Sequence, residues 1–203
     1  SYPDGVSASL TVHVVAEVHY VAVGSANPVA PYASWATAAT NIQDAADAAI
    51  LPGALVLVTN GIYAPIHVAG AVNLRSANGA PFTTIDGNQS NLCAFLGTSA
   101  TLTGFTLTNG IGGASGGMLT NCAIVGNLGS GASGCTLNNC WLTRNSASYA
   151  GGGAYSCTIN NCTLTGNSAV SYGGGAYGCA LNNCIIYFNS AQQWPNYDPS
   201  SVL

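Results

Sequence analysis

The chain has 203 residues, 48% of them apolar and only 4% charged, with a formal net charge of −4, against about 25% charged residues in an ordinary soluble domain. Arg75 and Arg144 are the only Lys or Arg residues, which excludes nucleic-acid binding by phosphate neutralisation and a polybasic membrane anchor. No apolar run approaches the roughly 18–20 residues that span a bilayer, and the length suits one elongated domain.

Residues 6–14 alternate, with Val6, Ala8, Leu10, Val12 and Val14 on one face and Ser7, Ser9, Thr11 and His13 on the other. That period predicts a strand with one buried face. Residues 18–23 form a second strand, and 24–34, with Pro28 and Pro31, a loop. Residues 40–50 read as the one helix. Ile42, Ala45, Ala46, Ala49 and Ile50 recur at helical spacing, Thr40 and Gln43 have capping-box spacing, and Pro52-Gly53 ends the element. Strands resume at 55–58, and 66–96 supply one or two irregular coils.

From residue 101 an internal repeat dominates. Its equivalent positions are Phe105, Cys122, Cys140, Cys162 and Cys184, at steps of 17, 18, 22 and 22 residues. The last copies share the runs Gly151-Gly152-Gly153-Ala154-Tyr155 and Gly173-Gly174-Gly175-Ala176-Tyr177. Within each unit apolar residues fall at every second position, and Asn pairs or glycines interrupt them where a turn needs positive φ. One such unit cannot bury its own inward face, whereas stacked units can. Stacking at about 4.8 Å predicts an inward column of Cys140, Cys162 and Cys184. Leu142, Leu164 and Ile186 form a second column, and Asn145, Asn167 and Asn189 a ladder of side-chain amides. The expected organisation is an amino-terminal extension strand over 1–17, a parallel β-helix over 18–197 and an irregular carboxy-terminal tail over 198–203, whose end shows no evident cap.

The start segment, Tyr20-Val21 followed by Ser34-Trp35-Ala36-Thr37-Ala38-Ala39-Thr40-Asn41-Ile42-Gln43-Asp44-Ala45, Pro52-Gly53, Val56-Leu57-Val58 and Gly61-Ile62-Tyr63, resembles the amino-terminal part of right-handed parallel β-helix proteins of the pectate-lyase-like superfamily. The Gly-Gly-Gly-Ala-Tyr and Leu-Asn-Asn-Cys units resemble repeats of large extracellular bacterial β-helix proteins. Those are similar in turn to polymorphic outer-membrane and autotransporter passenger repeats. The resemblance implies an all-β right-handed solenoid whose single short helix plugs the amino-terminal end. Two departures stand out. Ala54 replaces the usual acidic residue after Pro-Gly, and Cys135, Cys157 and Cys179 stand where many relatives have glycine.

Six cysteines recur as C-x4-C at Cys135/Cys140, Cys157/Cys162 and Cys179/Cys184. Within-coil disulfides are the favoured reading. Reduced core packing and disulfides between stacked columns are the alternatives, and Cys93 and Cys122 are left unassigned. Zinc is disfavoured because the histidines, His13, His19 and His67, lie elsewhere. The acids Asp4, Glu17, Asp44, Asp47, Asp86 and Asp198 place none within 101–190, so no catalytic set, metal or cofactor is expected. Ice binding fails for want of a continuous Thr-x-Thr array. Trp141, Tyr149, Tyr155, Tyr172 and Tyr177 are candidate glycan contacts, and Asn88 of Asn88-Gln89-Ser90 is a candidate glycosylation site. Eight cysteines in an uncharged chain, with a leader expected to have been removed, suggest an extracellular or cell-surface setting. The expected function is that of a non-enzymatic structural subunit with itself as partner, polymerising head to tail into a filament through residues 6–14. A surface adhesin or glycan-binding β-helix is the alternative, and a polysaccharide lyase or hydrolase a remote one.

Overall fold

A computed structural model describes residues 16–201, so the strand expected over 6–14 lies outside the described residues. The chain winds about six turns of a parallel β-helix. Three parallel sheets run along it, of eight, seven and six strands. The first sheet starts with Val18–Val21 and Leu55–Val58 and ends with Ala180–Asn182. The second runs from Gly61–Tyr63 to Ile185–Tyr187, and the third from Ile66–Val68 to Ala176–Tyr177.

From residue 101 the strands of the first two sheets are three residues long, and all but the last bury the middle side chain, as in Thr101–Thr103, Thr106–Thr108, Thr136–Asn138 and Thr163–Thr165. That is the period-two reading of the sequence made physical. Like residues stack on like: Leu119 pairs with Leu137 and Leu137 with Ile159, while Ile124 pairs with Leu142 and Leu142 with Leu164. Single left-handed residues turn the corners. Asn121, Asn139, Asn161 and Asn183 have φ of 51 to 53° and join the first sheet to the second. Asparagine tolerates this region because its short amide bonds locally. At the next corner Gly126 and Gly166 alternate with Arg144 and Phe188, which adopt the same region without that advantage.

The Asn ladder is present and longer than its sequence signature. Asn127, Asn145, Asn167 and Asn189 are all buried. Each Nδ2 donates to the Oδ1 of the next residue, at 2.8, 2.9 and 3.0 Å, and the series ends on Asn196 Oδ1 at 3.3 Å. The amides also bond backbone: Asn167 Nδ2 donates to Leu142 O, and Asn145 N–H donates to Asn167 Oδ1. A glycine column makes this room. A Cβ at Gly131, Gly153 or Gly175 would lie 2.8, 3.0 or 2.8 Å from the Nδ2 of Asn145, Asn167 or Asn189.

The helix spans Ile42–Ala48, shorter than the 40–50 expected, and its cap is Asn41 rather than Thr40. Asn41 Oδ1 accepts from Asp44 N–H at 2.8 Å while its Nδ2 donates to Asp44 Oδ2. The helix lies over the amino-terminal end and buries Ile42, Ala45 and Ala46 there. Gln43 finishes the seal. Its side-chain amide donates to His67 O and accepts from His67 N–H, at 3.0 and 2.8 Å. One glutamine thus occupies the outer edge of the third sheet's first strand, where a strand's backbone would otherwise pair.

Residues 190–201, which include the described part of the tail expected over 198–203, lie on the stack. Ser168 bridges Ser190 and Ala176 bridges Tyr197. Cys135 and Cys157 N–H groups donate to the sulfur 22 residues later, and Cys179 N–H donates to Ser201 Oγ at the same interval. Ser201 therefore occupies the next place in a cysteine column. Asp198 accepts from Gly178 N–H and from the Ser201 hydroxyl.

Candidate functional site

All eight cysteines are free thiols, which corrects the expected disulfides within Cys135/Cys140, Cys157/Cys162 and Cys179/Cys184. A strand separates the members of each pair. Three steps along it at about 3.3 Å already carry the backbone about 10 Å, past the roughly 7 Å limit for a disulfide. The thiols instead form two axial columns, Cys135–Cys157–Cys179 and Cys122–Cys140–Cys162–Cys184. In the second, Cys140 N–H donates to Cys162 Sγ at 3.2 Å. The hydrogen bonds from Cys140 to Cys122 and from Cys157 to Cys135, toward the preceding coil, raise both thiols to about 12, and burial adds to it. Burial likewise raises Cys93 to about 12. These sulfurs are held as neutral thiols, which are poor nucleophiles and poor metal ligands.

The carboxylates do not converge. Asp44 binds the helix cap, Asp47 accepts from Gln43, and Asp86 accepts from Asn88 N–H and Asn109 Nδ2. Asp198 sits at the far end. Burial pushes its carboxyl up, but the Ser200 and Ser201 hydroxyls with the Gly178 and Ser200 N–H groups outweigh this and hold it below the ordinary range. Among the described residues no three His, Cys, Asp or Glu side chains gather around one point. His19 is buried with its ring nitrogen Nδ1 against Pro31 O, and His67 packs on Phe95. Asn88 lies in an exposed turn with φ of 51°.

The aromatic candidates divide. Trp141 stands apart on the outer face of the second sheet, half exposed between Ala123 and Thr163. The four tyrosines come together. Tyr149 meets Tyr172 edge-on at 5.6 Å, Tyr172 lies 6.0 Å from Tyr177, and Tyr177 stacks on Tyr155 at 5.7 Å with 9° between the planes. Trp194, which is not among the aromatic candidates named from the sequence, joins them 5.5 Å from Tyr172. Stacking pairs Tyr172 with Gln193, so Trp194 falls one place outside the register and the period alone does not single it out.

The lengthening of the coil builds this cluster. The Asn127-to-Asn145 turn takes 18 residues and the following turns take 22. The added length lies after the Asn ladder, where Ser146–Ala147 and Ser168–Ala169 form a fourth, two-stranded sheet. That ledge carries Tyr149 and Tyr172 out beside the third sheet, whose strands supply Tyr155 and Tyr177. A hollow of about 270 Å³ beside it is lined by Ser130, Ser133, Ser148, Tyr149 and Tyr155. Comparison of the chain with protein-family models, curated proteins and solved structures yields no match.

Proposed function

We propose that the chain is a non-catalytic structural subunit of a secreted or cell-surface assembly, joined to copies of itself in a filament. The observation that carries this reading is how the stack uses its polar groups. The buried asparagines of the ladder spend their amides on one another and on backbone, and the buried Cys140 and Cys157 are held as neutral thiols. What faces outward along 101–190 is almost wholly uncharged, Arg144 apart. Such a surface loses little on desolvation against an identical surface.

The unequal ends support a head-to-tail arrangement. Helix and Gln43 close the amino-terminal end. At the other, Ala180–Asn182 and Ile185–Tyr187 each have one edge without a strand partner among the described residues. Leu181, Cys184, Ile186 and Tyr197 line a hollow of about 350 Å³ beside them. An alternating segment such as 6–14 has the form that adds to such an edge. The secreted setting rests on composition, because the thiols are free. Electron microscopy of the purified full chain tests the proposal. Filaments are expected, and deletion of residues 1–17 should abolish them while the far-ultraviolet circular dichroism of the stack persists. Monomers alone at high concentration, or filaments unaffected by the deletion, overturn it.

A further inference from the structure

We infer that the cluster of Tyr149, Tyr155, Tyr172, Tyr177 and Trp194 is a binding site for a neutral polysaccharide. The inference goes beyond the structural role and does not depend on it. Five rings in one continuous patch are a large aromatic commitment for a chain whose aromatic content is 8%. They do not serve the core, which is filled by aliphatic side chains and cysteines with Tyr63 and Phe105 as its aromatic members. Tyr149 is 61% exposed and Trp194 41%. The side-chain hydrogen bonds nearby join Ser168 to Ser146 and Ser130 to Ala150 O, and the phenols take no part in them. The patch therefore offers π-faces together with unengaged hydroxyls, the combination of apolar body and polar tip that suits an amphipathic partner.

The backbone adds an independent observation. Trp194 has φ of 52°, a left-handed conformation that a bulky residue adopts only at a free-energy cost. That conformation puts its indole beside Tyr172. The coil insertion that carries Tyr149 and Tyr172 outward is likewise unnecessary for stacking, because the 18-residue turn stacks without it.

Charge selects the ligand. No Lys or Arg belongs to the cluster, and the carboxylate whose field reaches Tyr177 is that of Asp198. Anionic polymers are repelled and nucleic acid finds no cation. A pyranose chain presents C–H faces to the rings and hydroxyls to the phenols and to Ser130, Ser133 and Ser148 in the adjoining hollow. The parallel Tyr155/Tyr177 pair continues along the stack axis, which favours a chain over a single sugar.

The test is affinity gel electrophoresis of the full chain in soluble β-1,4-glucan, β-1,3-glucan and mannan, with polygalacturonate as the anionic arm. Retardation is expected in at least one neutral polymer and not in polygalacturonate. Tyr149→Ala and Trp194→Ala should each weaken it by about tenfold, the scale of removing one ring from a stacked sugar, whereas Tyr172→Phe should stay within about threefold. Tyr149 is exposed, so its variant keeps the fold, and circular dichroism verifies this for all three. No retardation in any neutral polymer overturns the proposal. So does retardation that survives both alanine variants, or loss of self-association in those variants without loss of glycan binding, which places a protein on this face.

Discussion

Replacing Asn167 by Ala should unfold the chain at markedly lower denaturant, and the structure sets the scale. Asn167 Oδ1 accepts from Asn145 N–H at 3.1 Å and from Asn145 Nδ2 at 2.9 Å. Its Nδ2 donates to Leu142 O and to Asn189 Oδ1, both at 3.0 Å. Asn167 is 1% exposed, so water does not replace these partners. Truncation orphans the Asn145 N–H, at about 2 kcal/mol for a buried donor, and removes three further bonds worth about 1 kcal/mol each. Partial collapse of the neighbours offsets some of this, leaving about 4 kcal/mol. The outer ladder supplies the control. Asn182 is exposed and its Nδ2 donates to Asn160 Oδ1 at 3.0 Å. Asn182→Ala should stay within about 0.5 kcal/mol. Guanidinium unfolding followed by circular dichroism measures both. Equal shifts for the two variants, or less than about 1 kcal/mol for Asn167→Ala, would refute the claim that the inner ladder holds the coils together.

Gly153→Ala should cost at least about 3 kcal/mol in the same assay, because the new Cβ meets Gly175 O at 2.5 Å and Asn167 Nδ2 at 3.0 Å. Arg144→Gly should stabilise by about 1 kcal/mol, since Arg144 has φ of 55° where Gly126 and Gly166 turn the equivalent corners; a loss of stability would mean that the guanidinium has a role of its own. Forced thiol oxidation at alkaline pH, required because these thiols are buried and neutral, followed by peptide mapping should find cross-links between coils, such as Cys140 to Cys162 or Cys157 to Cys179, and none between Cys135 and Cys140. The Asp198 carboxyl is depressed in the folded chain, so its contribution is present above the ordinary carboxylate value of about 3.9 and is lost as pH falls through the folded value. The stability gap between wild type and Asp198→Asn should therefore close on acidification below about pH 4, and a gap independent of pH counts against the capping role.

Much of the solenoid is legible because its physics is local and repeated. An apolar residue at every second position, an Asn at the corner between the first two sheets and the 22-residue step of the last coils suffice to place Leu142 over Leu164 and Asn145 over Asn167. What a single coil does not reveal is what its neighbour does to it. The cysteine spacing suggests partners five residues apart, yet the strand between them holds them apart and the real neighbours are 22 residues away. The glycine run reads as a turn, whereas Gly153 and Gly175 keep their places because an asparagine from another part of the coil fills the space a Cβ would take. The helix cap differs by one residue because Thr40 and Asn41 are both good caps and only the backbone path chooses between them. The aromatic cluster is half visible: Tyr155 and Tyr177 repeat in register, but Tyr172 stacks between Ala150 and Gln193, so Tyr149 and Trp194 join it from one place outside the register.

The inner Asn ladder also gives the molecule a direction that its formal charge does not. In a parallel sheet the N–H groups of one strand point alternately toward both neighbours, so backbone dipoles nearly cancel along the stack. The side-chain amides of Asn127, Asn145, Asn167 and Asn189 do not alternate: each Oδ1 beyond the first accepts from the preceding asparagine and each Nδ2 donates to the next one toward the carboxy-terminal end, its second hydrogen going to a carbonyl of the preceding coil. The outer amides of Asn160 and Asn182 run the opposite way, but in contact with water, which screens them. What remains is a desolvated line of aligned dipoles, each polarising the next, inside a body with almost no ionised side chains. Such a rod is electrically polar from end to end. Two rods lying side by side are then drawn into opposite orientations, while rods meeting end to end are drawn into the same one.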